Sequence, residues 1–251
     1  MTPARLIVLL TTGLLAVTGL GYLASQTVLA PPPLLASAQT YVGAPAPMPA
    51  PVTGGKHHQQ QTPTGPVSVD AAWATATAAK AGIPEPAVRA YADAQLNEPD
   101  GCDVGWTTLA GIGWVESQHG TIGGRTLGDD GRSSTPILGP ALNGKGKFAA
   151  IPATPESSAW HGDPAWDHAV GPLQFIPSTW ETWGADGDGD GTADPNDLDD
   201  AAYAAVRYLC AGGHDLTTGA GWADAVLSYN HAQSYVDAVH SAAMAYADRT
   251  S

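Results

Sequence analysis

Residues 104–120 read VGWTTLAGIGWVESQHG, and this stretch decides the class of the fold. Trp106, Leu109, Ala110, Ile112 and Val115 supply apolar positions at helical spacing, and Asp103 stands where a helix cap belongs. Gly120 is a stop signal, so the pattern predicts a helix over 104–117. Glu116 lies at its end, directly after Trp114 and Val115. Apolar surroundings penalise a carboxylate and raise a Glu pKa toward that of a useful general acid. The bland alternative is a solvated helix cap.

Helical signals continue on both sides. Asp70 precedes an Ala-rich stretch, 71–81, ended by Gly82, and Pro84 or Pro86 starts a helix running to about Gln95. Downstream, Pro177 suits the first turn of a short helix to Trp183. Residues 197–211 carry Leu198, Ala202, Ala205, Val206 and Leu209 on one face and end at Gly212-Gly213. A final pair covers 221–229 and 233–247. Residues 120–165 are rich in Gly, Pro and Asp and read as a long irregular loop with room for short strands; such loops in compact domains are usually functional. Neither a βαβ pattern nor an internal repeat is present. The class is mainly α, with helices packed around a cleft.

Residues 186–197 read DGDGDGTADPND. Counted from Asp186, oxygen side chains fall at positions 1, 3, 5, 9 and 12, with Gly191 at position 6. That is the spacing of an EF-hand calcium loop, with Asp186, Asp188, Asp190, Asp194 and Asp197 as carboxylate ligands and Thr192 offering its carbonyl. Asp197 replaces the usual Glu, and its shorter arm reaches an ion less easily. With a single loop, the motif reads as a structural clip rather than a switch.

The 251-residue chain has 10 Lys+Arg against 24 Asp+Glu, a net charge of −14. Residues 1–66 contain Arg5, Lys56 and no acid, so the negative charge sits in 67–251. This excludes a nucleic-acid partner, which needs a basic footprint, and electrostatic attachment to an anionic membrane. With 43% hydrophobic residues the chain is no acidic disordered polymer, and one folded domain over 67–251 is expected.

Arg5 followed by the uncharged run 6–24 signals export. Either cleavage follows Ala36-Ser37-Ala38, or the run stays as a membrane anchor, being close to the roughly 20 residues that span a bilayer. Residues 39–66, rich in Pro, Ala, Gly, Gln and Thr, read as a stiff linker, with His57 and His58 solvated in it. Two cysteines, Cys102 and Cys210, fit export and suggest one disulfide; the chain-entropy account gives such a long loop about 4–5 kcal/mol.

Three strings carry a family resemblance: Gly111–Gly120 with Glu116, Val170–Trp180 with Gln174 and Phe175, and Ser228-Tyr229-Asn230. In this order, with the acidic loop between the second and third, the sequence resembles the lytic murein transglycosylases of the membrane-bound B type, over roughly 66–247. The resemblance implies a lysozyme-like helical fold and cleavage of the β-1,4 bond between N-acetylmuramic acid and N-acetylglucosamine. It implies that Glu116 serves as acid and then base, giving a 1,6-anhydromuramoyl end. It implies that Gln174 contacts glycan, and that Tyr229 and Asn230 orient Glu116 and line the cleft. Ser117 and Phe175 are further candidate substrate contacts. Phe175, Trp114 and Trp180 also read as core, and His119 as structural. Residues 160–168 hold Trp160, His161, Asp163, Trp166, Asp167 and His168; their irregular spacing argues against zinc and for a loop lining the groove. Structural calcium, glycan strands as partner, an extracytoplasmic location and a monomer complete the expectation. The alternatives are an inverting hydrolase using Asp129, Asp130, Asp163 or Asp167 as second carboxylate, and a non-catalytic wall-binding module.

Overall fold

Asp70 Oδ1 accepts the amide of Trp73 and opens α1 (Ala71–Ala81), which Gly82 ends in the left-handed region. These elements belong to a computed structural model that describes Tyr41, Pro49, residues 66–146 and residues 148–251. Residues 1–38, expected to direct export, and the expected linker 39–66, apart from Tyr41, Pro49 and Pro66, lie outside the described residues. Seven further helices follow: α2 (Glu85–Leu96), α3 (Trp106–Ser117), α4 (Pro155–His161), α5 (Pro177–Trp183), α6 (Leu198–Ala211), α7 (Gly219–Tyr229) and α8 (Gln233–Thr250). The mainly α class holds. Among the described residues strand pairing occurs only as isolated bridges.

The start of α3 differs from expectation. Asp103 is not its cap; it takes a left-handed backbone (φ 59°), and Gly105 occupies the cap position. The end of α2 supplies acceptors instead: Glu98 Oε2 takes the Val104 amide and Gln95 Oε1 the Trp106 amide, each at 2.7 Å. α3 therefore begins where α2 dictates. The sequence also gave no warning of α4, built on a capping box between Thr154 and Ser157 with Pro155 in the first turn.

The core forms where α3 runs along α8 and α2 along α6. Tyr91, Trp106, Leu109, Ile112, Leu173, Leu198 and Leu209 are fully buried, and each large apolar side chain contributes about 1.5–3 kcal/mol. Gly111 sets the α3–α8 approach, since a Cβ there would lie 2.7 Å from the Val239 carbonyl. Trp180 is core, as expected. Trp114 is not: it is 47% exposed, because α3 turns that face away from α8. His119 is buried between the hydroxyls of Tyr91 (3.1 Å) and Tyr246 (2.9 Å), and burial drives its pKa down to about 3. It is a neutral core residue.

Cys102 and Cys210 form a disulfide with Cα atoms 5.4 Å apart, tying the approach to α3 to the end of α6. Residues 120–170 cross the fold as short antiparallel pairings, among them Leu138 with Val170, Asn143 with Ala150 and Pro152 with Trp166. Tyr41 lies on the α7–α8 face, its ring against Trp222 and His240 and its hydroxyl bonded to Asp237.

Candidate active site

Glu116, near the end of α3, opens into a cavity whose walls come from five regions. Gln174, Phe175 and Ile176 form one wall, Thr179 of α5 and Tyr208 of α6 another, and Tyr229 and Asn230 at the end of α7 a third. Pro140, Leu142, Phe148 and Ala169 come from the irregular region. The three sequence strings thus meet in one cavity, and Glu116 is its only carboxylate among the described residues.

Burial and one hydrogen bond set the chemistry of Glu116. Burial raises its pKa to about 7, while a hydrogen bond from the Tyr235 hydroxyl to Oε1 (2.7 Å) pulls it down. Tyr235, in the first turn of α8, was missed by sequence reasoning, which gave this orienting role to Tyr229 and Asn230. The Tyr229 hydroxyl donates to the Leu173 carbonyl instead (2.9 Å). Its ring lies parallel to that of Tyr235, centroids 6.4 Å apart and planes 6° apart, and edge-on to Phe175 and Tyr208. Burial and the Glu116 charge push both hydroxyls well above the usual tyrosine range, so each remains a donor.

The turn carrying Gln174 is held from three sides. Val170 and Phe175 exchange backbone hydrogen bonds across it (2.8 and 3.0 Å). Gly171 takes φ 78° and approaches Pro195 so closely that a Cβ would lie 1.7 Å from its carbonyl oxygen; no other residue fits. Ser117 donates to the Pro172 carbonyl (2.6 Å) and accepts the Gly120 amide (2.8 Å). Ser117 is 1% exposed and does not line the cavity; its hydroxyl pins this turn to α3. Gln174 has a left-handed backbone, φ 53°, and its amide donates to the Gly171 carbonyl (2.8 Å). Phe175 both lines the cavity and packs in the core.

The other candidate carboxylates stand elsewhere. Asp129 and Asp130 line a separate surface recess with Asp188. Asp163 pairs with His168 (3.2 Å), and Asp167 with His161 (3.3 Å) and Ser157. No histidine belongs to a possible metal cluster among the described residues. Residues 161–168 brace the cavity wall from behind: Asp167 pairs with the backbone of Leu142 and Ile151, and His168 Nδ1 bonds the Gly139 carbonyl.

In the acidic loop, Asp186, Asp188 and Asp190 bring carboxylate oxygens within 4.8 Å of one another. Asp186 accepts the amides of Gly189 and Gly191, the latter at φ 94°. The rest of the expected set diverges. Asp194 pairs with Arg132 at 2.6 Å. Asp197 is buried as the cap of α6, bonded to the Asp199 amide and 3.7 Å from Arg132. Asp200 instead reaches back into the loop, accepting the Gly187 and Asp194 amides, and the charges of Asp188 and Asp186 raise its pKa on top of burial. Asp186, Asp188 and Asp190 are the carboxylates of this loop that stand close enough to share a hard cation among the described residues.

Residues 156–226 match the family described as "Transglycosylase SLT domain". The match spans 71 of the chain's 251 residues and is a likeness of that segment. The match includes Gln174 and the acidic loop; Glu116 precedes it and Tyr229 follows it. Two solved structures of the Escherichia coli lytic transglycosylase Slt35 resemble this domain, one in complex with calcium and one with bulgecin A. Each is 16% identical and covers 68% of this chain and 78% of its own, with TM-scores of 0.42 and 0.41. The likeness is loose. No curated protein matches the sequence.

Proposed function

We propose that this transglycosylase domain cleaves the β-1,4 bond between N-acetylmuramic acid and N-acetylglucosamine without water. Glu116 donates its proton to the glycosidic oxygen as the bond from that oxygen to the anomeric carbon breaks. The muramoyl 6-hydroxyl oxygen then bonds the same carbon, and its proton returns to Glu116, leaving a 1,6-anhydro end. One observation carries this reading: a single carboxyl lining the cavity among the described residues, half-buried, with its pKa raised to about 7 and bonded to Tyr235. A group poised near neutrality can serve as acid and then base. Two-carboxylate hydrolysis needs a partner within about 5–10 Å across the scissile bond, and Asp129, Asp130, Asp163 and Asp167 all lie outside the cavity. Gln174, Tyr229 and Asn230 supply the polar contacts for sugar.

In the same reading Asp200 fixes the loop through the Gly187 and Asp194 amides, while calcium is held by Asp186, Asp188, Asp190 and the Thr192 carbonyl. Its chemistry is structural: it neutralises crowded carboxylates behind the Gly171 turn. The 1–38 segment directs export, which places the domain on its wall substrate.

Mass spectrometry of muropeptides released from purified sacculi is the test. The expected product is one water lighter than the hydrolytic product; a hydrolytic product, or none, overturns the reading.

A further inference from the structure

We propose that His168, held as an imidazolium, is a positioning residue that sets the cavity wall against Gln174 and so controls the affinity for glycan. The inference rests on the function proposed above.

The charge follows from the partners of the ring. Nδ1 faces the Gly139 carbonyl at 2.7 Å, and Nε2 faces Asp163 Oδ2 at 3.2 Å. Both partners are acceptors, so the ring satisfies both only with a proton on each nitrogen. Asp163 supplies no proton of its own. Its Oδ1 accepts the Ala165 and Trp166 amides (2.8 and 3.3 Å). The Ala165 amide, and after it the bond to His168, hold this carboxyl below the usual carboxylate range.

His161, at the end of α4, takes the opposite form. Its Nδ1 accepts the Asp163 amide (3.2 Å), which keeps that nitrogen bare, and its Nε2 donates to Asp167 Oδ1 (3.3 Å). The two rings lie 4.9 Å apart, where two imidazoliums would repel. The pair therefore carries one positive charge, on His168. The titratable groups around that charge are His161, Asp163 and Asp167, the last also bonded to Ser157. Residues 137–142, on the cavity side, have no titratable side chain.

Gly139 transmits the effect. Its amide donates to the Ala169 carbonyl (2.8 Å), while its own carbonyl accepts from His168. A Cβ at Gly139 would lie 2.9 Å from Gln174 Oε1, so the Gln174 amide rests directly on this backbone. Gln174 Nε2 is turned to the Gly171 carbonyl (2.8 Å), which leaves Oε1 as the end that Gly139 supports. Pro140 and Ala169, on either side of this contact, line the cavity with Gln174. When the ring loses a proton, it either releases the Gly139 carbonyl or sets a bare nitrogen against the Asp163 carboxylate.

Two variants separate charge from shape. His168→Gln cannot donate at both ends, so it should raise KM for soluble glycan strands roughly two- to tenfold at every pH, about the worth of one hydrogen bond, with kcat little changed. In the unmutated protein KM should rise as pH rises and the ring loses its proton. Asp163→Asn places an NH2 where Oδ2 stands; it donates to a neutral His168 that still bonds Gly139, so KM should stay low and its rise with pH should vanish. Glu116 is untouched in that variant. Nitrogen-15 NMR of the Glu116→Gln protein at mildly acidic pH should show protons on both ring nitrogens of His168 and on Nε2 alone of His161. A bare nitrogen on His168, an unchanged KM for His168→Gln, or a KM rise that persists in Asp163→Asn would overturn the proposal. Failure of the proposed cleavage appears separately, as absence of anhydro ends from the unmutated protein.

Discussion

The Tyr235 hydroxyl donates to Glu116 Oε1 at 2.7 Å across 119 residues of sequence, so the start of α8 governs the acidity of the end of α3. The bond favours the ionised carboxylate and partly offsets burial. Tyr235→Phe should therefore raise the Glu116 pKa above its value of about 7. The alkaline limb of the activity profile should move up by about one pH unit, because a hydrogen bond to a charged group is worth about 1.5–3 kcal/mol and one unit is 1.36 kcal/mol. A pH–rate profile reads this; an unshifted limb would separate Tyr235 from the acid.

Glu116→Gln should lower turnover on sacculi by at least about 10²–10⁴ while retaining glycan binding. Its stability carries a second sign. The native carboxyl, with its pKa raised from 4.5 to about 7, holds a proton that the unfolded chain has released between those values. Native stability therefore falls as pH rises through that window. Gln carries no such charge, so the variant should be more stable than the parent at pH 8, by about 2–3 kcal/mol, and nearly equal at pH 4. Denaturation at the two pH values checks it.

Ser117→Ala should destabilise the domain by about 1–3 kcal/mol, since it leaves the Gly120 amide and Pro172 carbonyl without their buried partner. Urea titration measures the loss; a change under 0.5 kcal/mol would show that another group holds the turn.

Chelation should lower the melting temperature, and calcium at a hundred times its dissociation constant should stabilise the fold by about 2.7 kcal/mol. Asp186→Ala should abolish the calcium-dependent shift and Asp200→Asn should diminish it, whereas Asp197→Asn should lower stability with and without calcium, because Asp197 caps α6. A melting curve indifferent to chelator would reduce the loop to an acidic turn.

What could be read in the sequence was local. Glu116 follows an apolar helix, Gln174 sits in a Gly-Pro-Leu-Gln turn, and the acidic repeat has its own spacing; each is recognisable from a short continuous stretch. Tyr235 was not, because nothing around it marks it: its role depends on the angle at which α8 crosses α3. Phe148 and Leu142 were hidden in a Gly/Pro-rich stretch whose pairings are single bridges without alternating strands. Asp197 fitted the loop by count, yet the cap of α6 and Arg132 outcompete it. Trp114 fitted the core by hydrophobicity, but α8 covers the other face of its helix.

The disulfide divides the catalytic centre topologically. It closes residues 102–210 into a covalent ring containing Glu116, Gln174 and the acidic loop. Tyr229, Asn230 and Tyr235 hang outside that ring on a tail joined through the residues between α6 and α7. A proteolytic nick at 212–217 would leave the ring whole, and the C-terminal helices would stay attached by packing alone. Their departure would strip Glu116 of its tyrosine partner and open one side of the cavity to water, so the chain can lose activity in one cut without its acid-bearing half coming apart.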